Sequence, residues 1–159
     1  AGIEEKIFYR EYYALDKHGE RNFGAEAKGV ATERMVNGLL VTGKPVVLIY
    51  PIPETAWKIY KLNSYSYNVR GKLLEELTIS ALRYLERNQL IIEWFDMMQA
   101  ENLVKVPVFG LFCTAGPSGR CDVQRNQVPL YHDDDHLSYE GSKRVVSAVL
   151  EGLLPRLEP

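Results

Sequence analysis

From Ala25 onward, apolar residues recur at helical spacing. Ala27, Val30, Ala31, Met35, Leu39 and Leu40 stand three or four positions apart, which predicts a helix that Gly43 terminates and Pro45 keeps from continuing. The run Val46-Val47-Leu48-Ile49-Tyr50 then breaks that period. A short, unbroken, β-branched stretch is the pattern of a strand buried on both faces, and Pro51 and Pro53 end it. Helix, tight turn and buried strand together predict one unit of a parallel α/β sheet. Residues 54–71 are polar and rich in aromatic side chains, among them Trp57, Tyr60, Tyr65 and Tyr67. The segment is long for a connection, so it is expected either to pack its rings on the surface or to border a site.

A second helical pattern runs from about Lys72 to Gln99. Leu74, Leu77, Ala81, Leu82 and Leu85 share one side, Ile92, Phe95 and Met98 continue it, and Asn88 marks a candidate break. Leu103 to Phe109 reads as another strand, followed by a cysteine-containing loop. Ser138 is placed to cap a last helix with Val145, Val146, Val149, Leu150 and Leu153 as its core face. The first 24 residues give no clean period: Ile7-Phe8-Tyr9 and Tyr12-Tyr13 are apolar or aromatic, and Asp16 to Asn22 reads as an exposed loop carrying a solvated His18. The chain has no internal repeat. The order is therefore an unassigned segment, then α–β–loop–α–β–loop–α, within a single domain over residues 1–159. Two strands with three helices make a thin sheet with open edges, which points to further strands N-terminal to this chain.

Composition narrows the function classes. A net charge of -2 with mixed signs gives no basic face, so nucleic acid is not an expected partner. No apolar run approaches the roughly 20 residues that cross a bilayer. Cys113 and Cys121 bracket a turn-rich loop containing Gly116-Pro117-Ser118-Gly119. A disulfide there would imply an oxidising compartment, and two free thiols would imply a reducing one.

The chemistry concentrates in Tyr131-His132-Asp133-Asp134-Asp135-His136-Leu137-Ser138. A serine hydroxyl is a weak nucleophile until a base takes its proton, and histidine suits that task. A carboxylate on the other ring nitrogen fixes the tautomer and steadies the imidazolium. In a turn, Asp133 can fold back beside His136 and orient it, whereas Asp134 and Asp135 are expected to hold the loop or face solvent. Gly141, in the first turn of the helix, would permit close backbone approach. Three other readings use these residues. They are an acidic helix-start turn without chemistry, zinc held by Cys113, Cys121, His132 and His136, and a hard cation held by Asp133, Asp134 and Asp135. The seven residues between the cysteines exceed usual zinc spacing, and no Asp-x-Asp-x-Asp-Gly loop supports the cation. No cofactor is called for. Ser64, Ser66, Ser80, Ser118, Ser142 and Ser147 do not follow a buried strand in a tight turn, the setting that exposes a nucleophilic serine.

Asp133-x-x-His136 with Leu137-Ser138 and Gly141 resembles the last block of the SGNH, or GDSL-like, hydrolases. More narrowly, it resembles the SGNH domain at the C-terminus of acyltransferase-family-3 membrane proteins. Gly43 to Glu54 resembles that subgroup's central strand and exit loop, Tyr84 to Asn88 its next helix, and Leu111-Phe112-Cys113 with Cys121 its paired-cysteine loop. The resemblance spans roughly residues 25–154 in order. It implies a three-layer α/β/α sandwich with a parallel sheet, the flavodoxin-like SGNH fold, here expected without its N-terminal strands.

It also implies Asp133 and His136 as catalytic acid and base, with the Gly-Asp-Ser nucleophile and the oxyanion-hole blocks upstream of this chain, which alone is expected to be silent. The implied function is an esterase or O-acyltransferase acting on acyl, chiefly acetyl, esters of cell-envelope carbohydrate. The implied partners are an acylated carbohydrate or acyl donor and a membrane-embedded acyltransferase domain of the same polypeptide. The implied location is periplasmic or otherwise extracytoplasmic, tethered to the membrane. The competing expectation is a non-catalytic carbohydrate-binding or interaction module that keeps the fold and uses Tyr60, Tyr65 and Tyr67 to stack on sugars.

Overall fold

A computed structural model describes residues 14–15, 21–22, 25–55, 57–116 and 118–157, with side chains from Gly29 onward. The aromatic stretches Ile7-Phe8-Tyr9 and Tyr12-Tyr13, and His18, lie outside the described residues. So does most of the expected loop from Asp16, although Arg21–Asn22 (β2) pairs antiparallel with Ala14–Leu15 (β1).

The α/β unit forms where the period changes. Helix α1 spans Ala25–Leu40 and strand β3 spans Val46–Ile49. Strand β5, Leu103–Val106, lies parallel to β3, with Val46 opposite Leu103 and Ile49 opposite Val106. Strand alternation sends Leu48 and Tyr50 to one face. There the Tyr50 hydroxyl donates to Asp96 Oδ1 at 2.5 Å, and its ring meets Phe95 edge-on with centroids 5.3 Å apart. Lys105 Nζ donates to the Asp96 carbonyl on the same side. Both partners belong to α3, Ala81–Met97, which also packs on α1. The opposite face of β5 meets α5, Tyr139–Leu153. There Gly152 lies so close to Val104 that an added Cβ would come within 2.8 Å of Val104 Cγ1. Helices therefore cover both faces of a two-stranded parallel sheet, a small α/β/α arrangement.

Several local expectations change. Strand β3 is not buried on both faces. Leu48 is 8% exposed but Ile49 is 43% exposed, because among the described residues β3 has β5 as its only strand neighbour. The predicted helix from Lys72 divides instead into strand β4, Leu77–Ser80, and α3. Strand β4 pairs antiparallel with β6, Arg120–Arg125, setting Ile79 opposite Cys121. That partner is far away in the chain and leaves no mark on local periodicity. Ser80 Oγ accepts the Arg83 N–H and starts α3. Asn88 does not break the helix, since its amide donates to the Tyr84 carbonyl one turn back. Leu82 and Leu85 face outward, and Ala81, Tyr84 and Phe95 are the buried positions of α3.

The tyrosine-rich excursion is also a helix, α2, Ile59–Arg70, which Gly71 ends at φ 69°. It is fastened to β6 by a buried amide pair in which Asn63 Nδ2 donates to Gln124 Oε1 at 2.6 Å. Gln124 in turn donates to the Leu74 carbonyl. Buried amides without such partners would be costly. Strand β5 ends before Pro107, and one helical turn, α4 (Phe109–Phe112), follows. Strand β7, Val128–Pro129, returns along β6 through Asn126 and Gln127, both at positive φ, which suits a two-residue hairpin turn. In α5 the core face narrows to Val145 and Val149, with Val146 and Leu150 exposed.

Cys113 and Cys121 form a disulfide across a sequence separation of 8. Their sulfurs are bonded to each other, so the four-ligand zinc reading loses both thiolates. No helix of the described residues is long and apolar enough to cross a membrane. By chain entropy the cystine should contribute about 2–3 kcal/mol. Replacing both cysteines by alanine is expected to lower the urea unfolding midpoint accordingly, and dithiothreitol should lower it in the parent chain but not in the variant. An unchanged midpoint would show that the loop needs no covalent tie.

Candidate acid–base site

The carboxyl ends of parallel strands are where open α/β sheets hold their ligands. The segment leaving β3, Tyr50 to Thr55, occupies that position, and the Asp133–His136 turn is tied to it. The Thr55 N–H donates to the Asp134 carbonyl at 2.8 Å. Its hydroxyl lies 2.8 Å from the Trp57 carbonyl and 3.2 Å from that of Asp134. Thr55 is 5% exposed, so these groups meet little competing water.

The turn is also held from within its own segment. Leu130 and Tyr131 are buried, and Tyr131 packs its ring on Phe112. The Leu130 N–H donates to the Val123 carbonyl, and the Leu130 carbonyl accepts the Ser138 N–H at 2.9 Å. Ser138 donates its hydroxyl to the Pro129 carbonyl at 2.7 Å and accepts the Gly141 N–H at 3.2 Å, the expected cap of α5. Gly141 sits against the Leu130 carbonyl, leaving no room for a Cβ. The His132 N–H bonds to the His136 carbonyl at 2.8 Å and closes the loop.

Within it, Asp133 Oδ1 accepts the N–H of Asp135 at 3.1 Å and of His136 at 2.8 Å. The His136 ring turns back so that Nδ1 lies 3.0 Å from both Asp133 oxygens. Asp135, expected to face solvent or hold the loop, also places Oδ1 2.9 Å from that nitrogen. The two backbone N–H groups, and then the imidazole, hold the Asp133 carboxyl well below the usual carboxylate range. The bond to Asp133, followed by the charges of Asp133 and Asp135, pushes His136 above its ordinary value. With Nδ1 turned to carboxylates, Nε2 is the nitrogen left to take a proton from a hydroxyl. The His136 side chain is 74% exposed, so geometry rather than ion-pair energy defines the site.

Asp133, Asp135 and His136 each bring a ligand atom within 4.8 Å of the others, a set that an exposed acidic turn produces without any ion. Asp134 adds its carbonyl to the Thr55 tie rather than a carboxylate to that set. No serine hydroxyl of the described residues bonds to His136. Ser66, Ser80 and Ser138 are engaged with backbone groups.

Next to the turn lies a groove of about 800 Å³ between α2, β7 and the start of α5, with His132 and Tyr139 in its lining. Tyr60 and Tyr67 line it, and Tyr65 does not. Thr55 and Tyr139 carry no signal in the sequence, and for Asp135 the sequence predicts a loop-holding or solvent-facing role rather than a contact with His136. The spacing Tyr60, Ser64, Tyr67, Asn68 was the available signal for α2, but it is a polar stripe that an apolar search passes over.

Comparison with known families matches residues 5–151 to the SGNH domain (fused to AT3 domains). No curated protein and no solved structure matches the chain.

The His136 contacts predict a titration. Followed by NMR of the ring protons, His136 should show a midpoint above the ordinary histidine value of about 6.5. Asp133→Asn should lower that midpoint more than Asp135→Asn does. Equal and negligible shifts in the two variants would break the assignment of Asp133 as the principal partner.

Proposed function

The chain belongs to the family of SGNH domains fused to AT3 domains, and from that premise we propose that it carries the acid–base half of a serine esterase or O-acyltransferase site. Its general type is that of a hydrolase- or acyltransferase-like domain. The finer reading is that residues 1–159 form one domain acting on acyl, chiefly acetyl, esters of cell-envelope carbohydrate. The nucleophilic serine comes from upstream of this chain. An AT3 membrane domain of the same polypeptide is the partner, and the site works outside the cytoplasm, where the Cys113–Cys121 disulfide is at home.

The observation that carries the reading is the 3.0 Å contact between His136 Nδ1 and the Asp133 carboxylate, on a turn fixed at the carboxyl end of β3. In the proposed reaction the serine oxygen attacks the acyl carbonyl carbon while His136 Nε2 takes the serine proton. The tetrahedral intermediate collapses, and His136 returns that proton to the departing oxygen. A sugar hydroxyl or water then loses its proton to His136 and attacks the acyl-enzyme. Its collapse gives the proton back to serine. Asp133 keeps the ring in one tautomer throughout and stabilises the imidazolium in both halves.

The test is acetyl-ester turnover by the full-length gene product beside its His136→Ala variant. The variant is expected to lose about 10⁴-fold or more in kcat. Because base catalysis needs neutral imidazole, the raised His136 value should set the acidic limb of kcat/KM above pH ~6.5, and Asp133→Asn should move that limb down. Equal turnover by parent and variant, or none by either, would remove the pair from the chemistry and favour a non-catalytic carbohydrate-binding module.

A further inference from the structure

Helix α2 presents Tyr60, Ser64, Tyr67 and Asn68 at i, i+4, i+7 and i+8, the spacing of a helix face that packs against something. The side chains are wrong for a helix partner or a core. They are aromatic rings and hydrogen-bonding groups, and Tyr60 and Tyr67 are 53% and 60% exposed. Across the groove stands the first turn of α5, with Tyr139 76% exposed and Glu140 beside it. Large rings left in water around one concavity mark a binding surface.

The lining also says what kind of molecule fits. Rings offer flat apolar faces, and Ser64, Asn68, His132 and Glu140 offer donors and acceptors at their margins. A pyranose has that pairing of an apolar C–H face and an equatorial rim of hydroxyls. No lysine or arginine lines the groove, and Glu140, which does, is paired with Lys143 Nζ at 3.2 Å, so the lining offers a phosphate or carboxylate no unpaired cation. The volume, about 800 Å³, is of the order that encloses a drug-sized ligand and exceeds what an acyl group needs. The walls are braced. Asn63 at the base of the α2 stripe is locked to Gln124, the Ser138 cap fixes the backbone of the first turn of α5, and Lys143 Nζ lies 5.1 Å from the Tyr139 ring centroid.

We propose that the groove between α2 and the start of α5 binds a neutral oligosaccharide, with Tyr60, Tyr67 and Tyr139 stacking on sugar rings. The inference rests on the carbohydrate-ester reading above and adds where the carbohydrate lies. The groove reaches the catalytic turn at His132, whose N–H holds the His136 carbonyl, so a bound chain runs up to the acid–base pair.

The test is binding rather than turnover, which separates its failure from failure of the catalytic reading. The 159-residue chain, labelled with ¹⁵N, is titrated with neutral tetrasaccharides of glucose, galactose, mannose or N-acetylglucosamine, and with tetragalacturonate as an acidic probe. Saturable shifts confined to residues 59–73 and 128–141 with at least one neutral probe are expected, and tetragalacturonate should bind more weakly. Tyr67→Ala should weaken binding about tenfold. Tyr65→Ala, outside the groove, should leave it unchanged, and His136→Ala should retain it. No saturable shift with any neutral probe, stronger binding of tetragalacturonate, or equal effects of Tyr65→Ala and Tyr67→Ala would overturn the proposal.

Discussion

The backbone of Leu130 is the fixed point of this molecule. Its N–H is committed to Val123 in β6 and its carbonyl to Ser138 at the start of α5, and Gly141 lies against the same carbonyl. Sheet, loop and helix thus meet on one peptide. The loop from Tyr131 to Leu137 begins and ends there, and its two ends bridge each other. Closing a loop this short leaves few backbone states to choose among, so the side chains it carries are oriented before any ligand arrives. A side chain at position 141 would push the helix off Leu130, and the turn would lose one of its anchors.

A second consequence is the position of the turn relative to the sheet. Strand β3 delivers Pro51, Pro53 and Thr55 beyond its carboxyl end. Tyr84 holds the Pro51 carbonyl at 2.7 Å, and Arg87 pairs with Glu54 at 2.5 Å. Helix α3 therefore steadies the same exit loop that Thr55 ties to Asp134. The acid–base turn is built on the antiparallel sheet and α5, yet it is registered against the parallel sheet. This junction explains why a chain whose described residues include only two parallel strands can still hold the Asp133–His136 turn where a larger α/β sheet would hold a ligand.

What was legible in the sequence follows from the range of the interactions. The Asp133–His136 contact spans three residues, the Ser138 cap spans three, and α1 and α5 repeat on their own period, so local spacing was enough. Local spacing predicts helix at β4 because Leu74, Leu77 and Ala81 fit a helical step, while the β6 partner that makes it a strand lies 40 or more residues away. Helix α2 leaves no apolar period in the sequence because its stripe is tyrosine, asparagine and serine. The burial that justifies it comes from Ile59 and the Asn63–Gln124 pair rather than from an apolar face. Sequence distance alone favours Asp133 over Asp135. The ring of His136 folds back far enough to meet both neighbours, and only the path of the backbone reveals that.

The exposure of His136 decides how its interactions should be weighed. In water and salt, the charges around a 74% exposed imidazole are heavily screened, so the pair adds little to stability whatever its distances. The contacts that hold it are different in kind. Asp133 is fixed by two backbone N–H groups and Asp134 by the buried Thr55. The turn therefore spends its binding groups on position rather than on energy, which is what the proposed role of His136 as a general base would require. Once a ligand displaces the surrounding water, the same Asp133–His136 geometry acts in a lower dielectric, where a preformed carboxylate–imidazole contact is worth far more and needs no rearrangement to be used.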